Sequence, residues 1–347
     1  MRDDIRFAIP SNGRLEKDSL EFLKACGLPV RRINPRQYTG TIRGLPEVTA
    51  MWQRQNDIVR GVRSGSIDFA IVGLDALRER CIGDADQPEK CENILVLHDA
   101  LDISHCELYL AVPDGWSNVE TVSDLKQKAV ALYQNEGRAL RVASKFQHLT
   151  RDFLDRQGVS PYKIVKLDGT LEIAPAIGLT DIIADLVSTG TTLRANQLKP
   201  LRDAPIIESQ GVLIANKEAL KQNDALRKVA YDLLEYIEAY LRAKGCYTVT
   251  ANMRGESPGA ISTRMLDKAH IRGLQGPTIS QVVPHDPANQ ANANWYAINI
   301  VVKKKDLSPA IRELREIGGS GVIVTEVKYI FEEVPDRYEA MLKAIAE

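Results

Sequence analysis

Short runs of β-branched and aliphatic residues alternate with amphipathic stretches through the first half of this chain, and that rhythm leaves few folds open. "IRFAIP" (Ile5 to Pro10) reads as a strand, followed by "SNGR" and an amphipathic helix, "LEKDSLEFLKACG", stopped at Gly27. "VTAMW" leads into "NDIVRGVRSG", where Asn56 or Asp57 is the candidate cap of a helix ended by Gly65. "IDFAIVG" (Ile67 to Gly73) is a buried strand, and "LDALRERC" starts the next helix. Alternation of this kind builds an α/β fold around a mainly parallel sheet.

A second α/β region starts near Cys106 with "CELYLAVP", then a short helix in "TVSDLKQK", the strand "LRVAS", the helix "KFQHLTRDFLDRQG", and the strands "KIVKLDG" and "IIADLVS". The chain then gives "GVLIANK" and a long helix from Glu218 to Lys244. That return implies a second lobe inserted into the first, with two crossings between them. From Cys246 the order becomes β-α-β-β-α-β, the ferredoxin-like split unit.

Bulk properties exclude several function classes. Lys+Arg at 45 against Asp+Glu at 46 gives a net charge of −1, which removes the general electrostatic case for a nucleic-acid or membrane-surface partner. No apolar run approaches the roughly 18 residues of a spanning helix. The start, "MRDDIRFAIPSNGR", has acids where a signal peptide has a basic segment. Five scattered cysteines with no CxxC pair fit reduced thiols in the cytoplasm.

Ligands of α/β sheets bind beyond the carboxyl ends of the strands. Successive strands deliver Gly13 and Arg14, then Arg54, then Asp75 to one such rim. An arginine fork matches two phosphate oxygens. Singly each is an ordinary surface residue; jointly they suggest an anion or nucleotide site. "RVASKF" puts Lys145 at the equivalent edge of the second region, and "GTLEIAP" puts Glu172 near it.

"TDIIADLVSTGTTLRAN" (Thr180 to Asn196) holds Asp181 and Asp185, then Ser188, Thr189, Gly190, Thr191 and Thr192. A glycine-containing loop at a helix start offers a phosphate its backbone N–H groups and hydroxyls. An acid shortly before it suits ribose hydroxyls or a phosphate-bound Mg²⁺. The plainer reading is a helix cap with incidental threonines. Spacing leaves both open, and the absent GK[ST] lysine excludes a Walker loop. The histidines show no metal spacing, and no GxSxG elbow occurs.

These segments together resemble the ATP phosphoribosyltransferase family in its long form. The matching pieces are "NGRL", "QRQNDIV", "SGSIDFAIVGLDAL", "LRVASKF" and above all "DGTLEIAPAIGLTDIIADLVSTGTTLRANQL", with "GPTISQVV" and "IGGSGVIVTEV" towards the end. "INPRQYTGTI" is nearer the plant-type branch. The resemblance implies a two-lobed catalytic core similar to type II periplasmic-binding proteins, with lobe I at 1–104 and 197–244 and lobe II at 105–196. A ferredoxin-like regulatory domain at 245–331 would bind histidine, and 332–347 would be a helical tail.

The activity so implied joins N1 of ATP to the anomeric carbon of phosphoribosyl pyrophosphate, with Mg²⁺ required and pyrophosphate released, as the first step of histidine biosynthesis. Asp181, Asp185 and Ser188 to Thr192 would hold phosphoribosyl pyrophosphate. Gly13, Arg14, Arg54 and Asp75 would hold ATP. Asp185, Arg14, Lys145 and Glu172 would be catalytic, Glu172 and Asp185 also facing the metal, and Thr278, Ser280, Gly319 and Ser320 would face histidine. Homodimers and hexamers without a separate regulatory subunit follow from the same resemblance. The sequence departs from it at Asn12, where a lysine is usual, at "LDISHCELYLAVP", to which no site is assigned, and in a long Val283–Asn294 loop. A non-catalytic two-lobed anion binder and a silent regulatory homologue are the competing readings; Asp185, Gly190 and Thr191 argue against both.

Overall fold

The computed structural model describes residues 4–32, 34, 36–83, 89–167, 169–187, 190–203, 205–283 and 294–346. Lobe I opens with β1 (Ile5–Pro10), α1 (Gly13–Ala25), β2 (Val30–Arg31), β3 (Thr39–Ile42), β4 (Leu45–Gln53), α2 (Gln55–Arg63), β5 (Phe69–Gly73), α3 (Leu74–Gly83), α4 (Glu89–Glu92) and β6 (Ile94–His98). Lobe II contains β7 (Cys106–Pro113), α5 (Val122–Glu136), β8 (Leu140–Ser144), α6 (Gln147–Gln157), β9 (Tyr162–Lys166), β10 (Ile182–Val187), α7 (Thr191–Ala195), β11 (Leu198–Pro200) and β12 (Ile207–Ser209). The chain returns through β13 (Gly211–Asn216), α8 (Lys217–Gln222) and α9 (Asp224–Ala243).

The first sheet runs β2-β3-β4-β1-β5-β13-β6. It is parallel only at its centre, β4-β1-β5, whereas β13 runs antiparallel to both β5 and β6. The mainly parallel sheet expected from the alternation is thus a mixed one. The reason is the insertion: β13 enters from lobe II and runs against its neighbours. Phe7, Ile9, Phe69 and Ile71 are fully buried, as strands covered on both faces require.

The second sheet runs β11-β7-β10-β8-β9, with β12 also on β7. Leu110, Val142 and Ile182 pack with Leu125 of α5 and Phe153 of α6 to form its core. β11 and β12 lie beyond Asn196, so this sheet takes in more chain than the expected lobe.

Local signals differ from expectation at two helices. Arg54, not Asn56 or Asp57, is the N-cap of α2, and its carbonyl takes the Asp57 and Ile58 amides at 2.9 Å each. The single helix expected over Glu218 to Lys244 is broken at Asn223, which is extended (φ −133°, ψ 111°) and accepts the Ala225 amide on its side chain.

By contacts the chain forms two units, 1–234 with 334–347, and 235–333. The second unit contains β14 (Cys246–Arg254), α10 (Pro258–Leu266), β15 (Thr278–Gln281), β16 (Trp295–Lys303), α11 (Leu307–Glu316) and β17 (Ser320–Glu326). Its antiparallel sheet, β15-β16-β14-β17, is the ferredoxin-like order. Met253, Ile261, Ile298 and Leu314 fill the space between sheet and helices. The last helix, α12 (Asp336–Ala346), belongs to the first unit, where Arg337 pairs with Asp99 at 2.6 Å and Tyr338 meets Tyr231 edge-on. No helix among the described residues is long and apolar enough to cross a membrane.

Asp181 anchors the amino end of β10. Arg138 Nη1 and Arg141 Nη2 donate to its carboxylate at 2.8 and 2.9 Å, and the Arg141 amide donates at 2.8 Å. Burial opposes its charge, but the hydrogen bonds from Arg141 and Arg138 outweigh that and hold the carboxyl below the usual range. The stability so gained is present above the unfolded carboxyl pKa and is lost as pH falls through the lower folded one. Asp181→Ala should therefore cost about 2 kcal/mol in urea unfolding at pH 7, with the difference shrinking in acid. Equal stability at pH 7 would show that the pair adds nothing.

Candidate active site

A cavity of about 360 Å³ opens at the carboxyl ends of β1 and β5. Both lobes and the crossings between them wall it: Gly13 and Arg14 start α1, Asp75 stands in the first turn of α3, Cys106 begins β7, Leu186 lies on β10 and Ser209 ends β12. The strand ends explain the convergence. β1 and β5 stop at the rim and hand their next residues to the starts of α1 and α3.

Asp75 and Ser209 are the enclosed polar pair there, each 4% exposed. Ser209 Oγ donates to Asp75 Oδ1 at 2.6 Å and accepts the Asp75 amide at 3.0 Å. Burial pushes the Asp75 carboxyl above the usual range, against hydrogen bonds from Ser209 and the Asp75 and Ala76 amides. A Cβ on Gly73 would stand 2.5 Å from Asp75 Oδ1 and 2.9 Å from Gln55 Oε1, so a side chain there would displace one or both of them. The Gly73 amide donates to that same Gln55 oxygen at 2.9 Å. Arg14 is exposed at the mouth, with Nε 3.2 Å from Asp18 Oδ2. Asp18 also accepts from Ser104 Oγ at 2.5 Å, which ties α1 to the outgoing crossing.

Asp185 forms a second group with Lys145 and Glu172. Burial raises its carboxyl pKa, the Leu186 amide (2.9 Å) and the Lys145 charge lower it, and the Glu172 charge raises it again. Successive strand residues face opposite sides. Leu186 therefore lines the cavity, and Asp185 stands with Lys145 and Glu172. β10 joins the two groups.

Gly190 occupies the N-cap of α7 in the left-handed region (φ 69°), with no side chain to cap. Ser188 and Thr189 lie outside the described residues, and Thr191 and Thr192 open the helix. Arg194, one turn on, holds Nη1 3.7 Å from where a Gly190 Cβ would stand, so a guanidinium borders the loop.

Some expected residues do not join these groups. Asp181 sits at the opposite end of β10, committed to Arg138 and Arg141. Arg54 is exposed at the N-cap of α2, and the cavity is lined by its neighbour Gln55. Thr278 and Ser280 lie on β15 and Ser320 on β17, opposite edges of the sheet about 14 Å apart. Gly319 immediately precedes β17. Within one copy of the chain these four do not make one site. Of the Val283–Asn294 loop, 284–293 lie outside the described residues. Conversely, the segment to which no site was assigned supplies Ser104, His105 and Cys106 to the cavity wall. Among the described residues no group of three or more His, Cys, Asp or Glu could hold a metal.

Comparison with known proteins agrees along the chain. The family profile "ATP phosphoribosyltransferase" matches residues 54–239, and "HisG, C-terminal domain" matches 243–329. The chain is 40% identical over 341 residues to ATP phosphoribosyltransferase 2, chloroplastic, from Arabidopsis thaliana, covering 98% of this chain and 80% of that one. It is 33% identical over 345 residues to ATP phosphoribosyltransferase from Caulobacter vibrioides, covering 97% and 98%. Among solved structures it is similar to the ATP phosphoribosyl transferase (HisG:HisZ) complex from Thermotoga maritima, with 22% identity, a TM-score of 0.49, and coverage of 67% and 96%. The chain belongs to the ATP phosphoribosyltransferase family, with the catalytic and C-terminal domains in one polypeptide.

Proposed function

We infer that this chain transfers the 5-phosphoribosyl group of phosphoribosyl pyrophosphate to N1 of ATP and releases pyrophosphate, the first step of histidine biosynthesis. The observation that carries the reading is the junction at β10, in a chain with full-length relatives of that name. One strand turns Leu186 towards the cavity of Arg14 and Asp75 and leaves Asp185 with Lys145 and Glu172.

In this reading adenine occupies the cavity against Asp75, and Arg14 and Arg54 meet the ATP phosphates. Gly190, Thr191 and Thr192, with Ser188 and Thr189, cradle the 5-phosphate, and Arg194 adds a cation beside them. Asp185 takes the ribose hydroxyls and Lys145 faces the departing pyrophosphate. Adenine N1 is a nucleophile as it stands, so no strong base is needed. The bond to N1 forms as the bond to pyrophosphate breaks, through a sugar carrying positive charge. Alignment and charge placement therefore supply most of the rate.

The residues present fit a substrate-borne Mg²⁺. Asp185 and Glu172 are near enough for the charge of one to raise the pKa of the other, a repulsion that a cation between them would relieve. Two carboxylates without a third protein ligand suit an ion that keeps waters and takes phosphate oxygens. Bound there, Mg²⁺ would draw off the charge of the pyrophosphate.

Histidine feedback at the edges of the ferredoxin-like sheet, dimer and hexamer assembly, and a cytoplasmic location complete the proposal. The covalently attached C-terminal domain favours action without a separate regulatory subunit. The five cysteines stand as thiols outside any disulfide, which supports a reducing compartment.

Purified chain given ATP, phosphoribosyl pyrophosphate and Mg²⁺ should release one pyrophosphate per ATP consumed, stop on chelation and slow with histidine. Absence of turnover would overturn the reading, and indifference to histidine would remove only the feedback. For Asp75, whose folded pKa is raised, charging the carboxylate costs stability as pH climbs from its unfolded value through its folded one. Asp75→Asn should thus raise the thermal midpoint at pH 7 and flatten its pH dependence above the usual carboxylate range, while slowing turnover. An unchanged midpoint with normal turnover would contradict the role.

A further inference from the structure

Helix α6 begins without a cap of its own. Its N-cap residue, Phe146, makes no side-chain cap bond, and no acid stands in the first turn. Thr150 is bonded to the Phe146 carbonyl at 3.0 Å, but the amides ahead of it need acceptors from outside the helix. Two of them find acceptors in the other lobe. The Glu79 carboxylate of α3 accepts from the His148 amide at 3.0 Å and from the Leu149 amide at 2.9 Å, one oxygen to each. Such bonds are charge-assisted, and the anion sits at the positive end of the helix dipole.

The helix start so held carries a candidate site residue, because Lys145 immediately precedes Phe146. The same turn is pinned from within lobe II. Fully buried Ser144 donates to the Ala184 carbonyl at 3.1 Å and accepts the Phe146 amide at 3.0 Å. Thr150 Oγ1 donates to the Phe146 carbonyl at 2.6 Å. Ala184 is the residue before Asp185, so the Lys145 turn and the Asp185 strand are bonded to each other. In its first turn α3 carries Asp75, one turn before Glu79 and on the same helix face. One rigid element thereby connects the cavity wall of lobe I with the Lys145 turn of lobe II.

We propose that Glu79 is a positioning residue: by capping α6 across the cleft it latches the two lobes and sets where Lys145 stands relative to Asp185 and Glu172. The proposal rests on the assignment of Lys145 to the pyrophosphate side made above. Nothing in the local sequence "LDALRERC" signals it, since the partner amides lie about seventy residues away.

The test uses the full-length chain. Glu79→Gln keeps the length and one acceptor oxygen, and Glu79→Ala removes both. Glu79→Ala should lower kcat/KM for phosphoribosyl pyrophosphate about tenfold, the loss of a charged cap expressed as misplacement. Glu79→Gln should fall between it and the parent, and ATP affinity measured alone should stay at the parental value. A lower thermal midpoint with parental kcat/KM in both variants would make the contact merely structural and overturn the proposal. If Glu79→Ala does not fold, Glu79→Gln decides on the same two readings. If the parent itself shows no turnover, the functional reading fails separately, and amide exchange decides the latch. Faster exchange at His148 and Leu149 in either variant supports it; unchanged exchange overturns it.

Discussion

A carboxyl buried at the crossing between lobes, Asp75 bonded to Ser209, is the interaction on which the cleft depends. Ser209 ends the last strand of lobe II, and Asp75 stands in the first turn of α3, which follows β5 of lobe I. Around that bond the Leu74 amide donates to the Gln210 carbonyl at 3.0 Å and the Asp102 amide to Gln210 Oε1 at 3.0 Å. The Gly211 amide reaches the Ile103 carbonyl at 2.9 Å. The outgoing and returning crossings are thus bonded to each other and to the start of α3. A buried polar group is tolerated only when its bonds are made, so this network has one satisfied arrangement. That arrangement gives the cavity a fixed floor.

The insertion of lobe II gives the catalytic core its character. It places the carboxyl ends of β1 and β5 opposite β10, and makes β13 run antiparallel between β5 and β6. The same geometry explains how a chain with a net charge of −1 can recognise polyanions. Arg14 stands at the cavity mouth, Lys145 beside Asp185 and Arg194 beside Gly190, while acids such as Asp181 are neutralised in ion pairs elsewhere. Local placement, not overall charge, governs attraction at the scale of a Debye length.

Periodicity in the sequence carried the strands, the two-lobed plan and the C-terminal βαββαβ order, because each rests on patterns a few residues long. Lys145 was legible as a rim residue because it directly follows the end of β8, whereas its grouping with Glu172 and Asp185 came from the resemblance. The resemblance put Asp181 with Asp185 at the phosphoribosyl pyrophosphate site, whereas Asp181 is paired with Arg138 and Arg141 at the amino end of β10. Four residues share a face there but span about 13 Å, so Asp181 and Asp185 serve opposite ends. Thr278 and Ser280 stand apart from Ser320 within one copy because strand order, which puts β15 and β17 at opposite edges, is a long-range property. Ser209 was invisible: its bond to Asp75 spans 134 residues, and a lone serine carries no periodic signal. Glu79 escaped for the same reason.

The most direct test of this account is a structure of the chain bound to ATP and to phosphoribosyl pyrophosphate, in separate crystals to prevent turnover. Adenine should lie in the cavity against Asp75, between Arg14 and Leu186, and the 5-phosphate at Gly190 to Thr192 with ribose hydroxyls on Asp185. Adenine bound away from Asp75, or a 5-phosphate bound away from the start of α7, would contradict it.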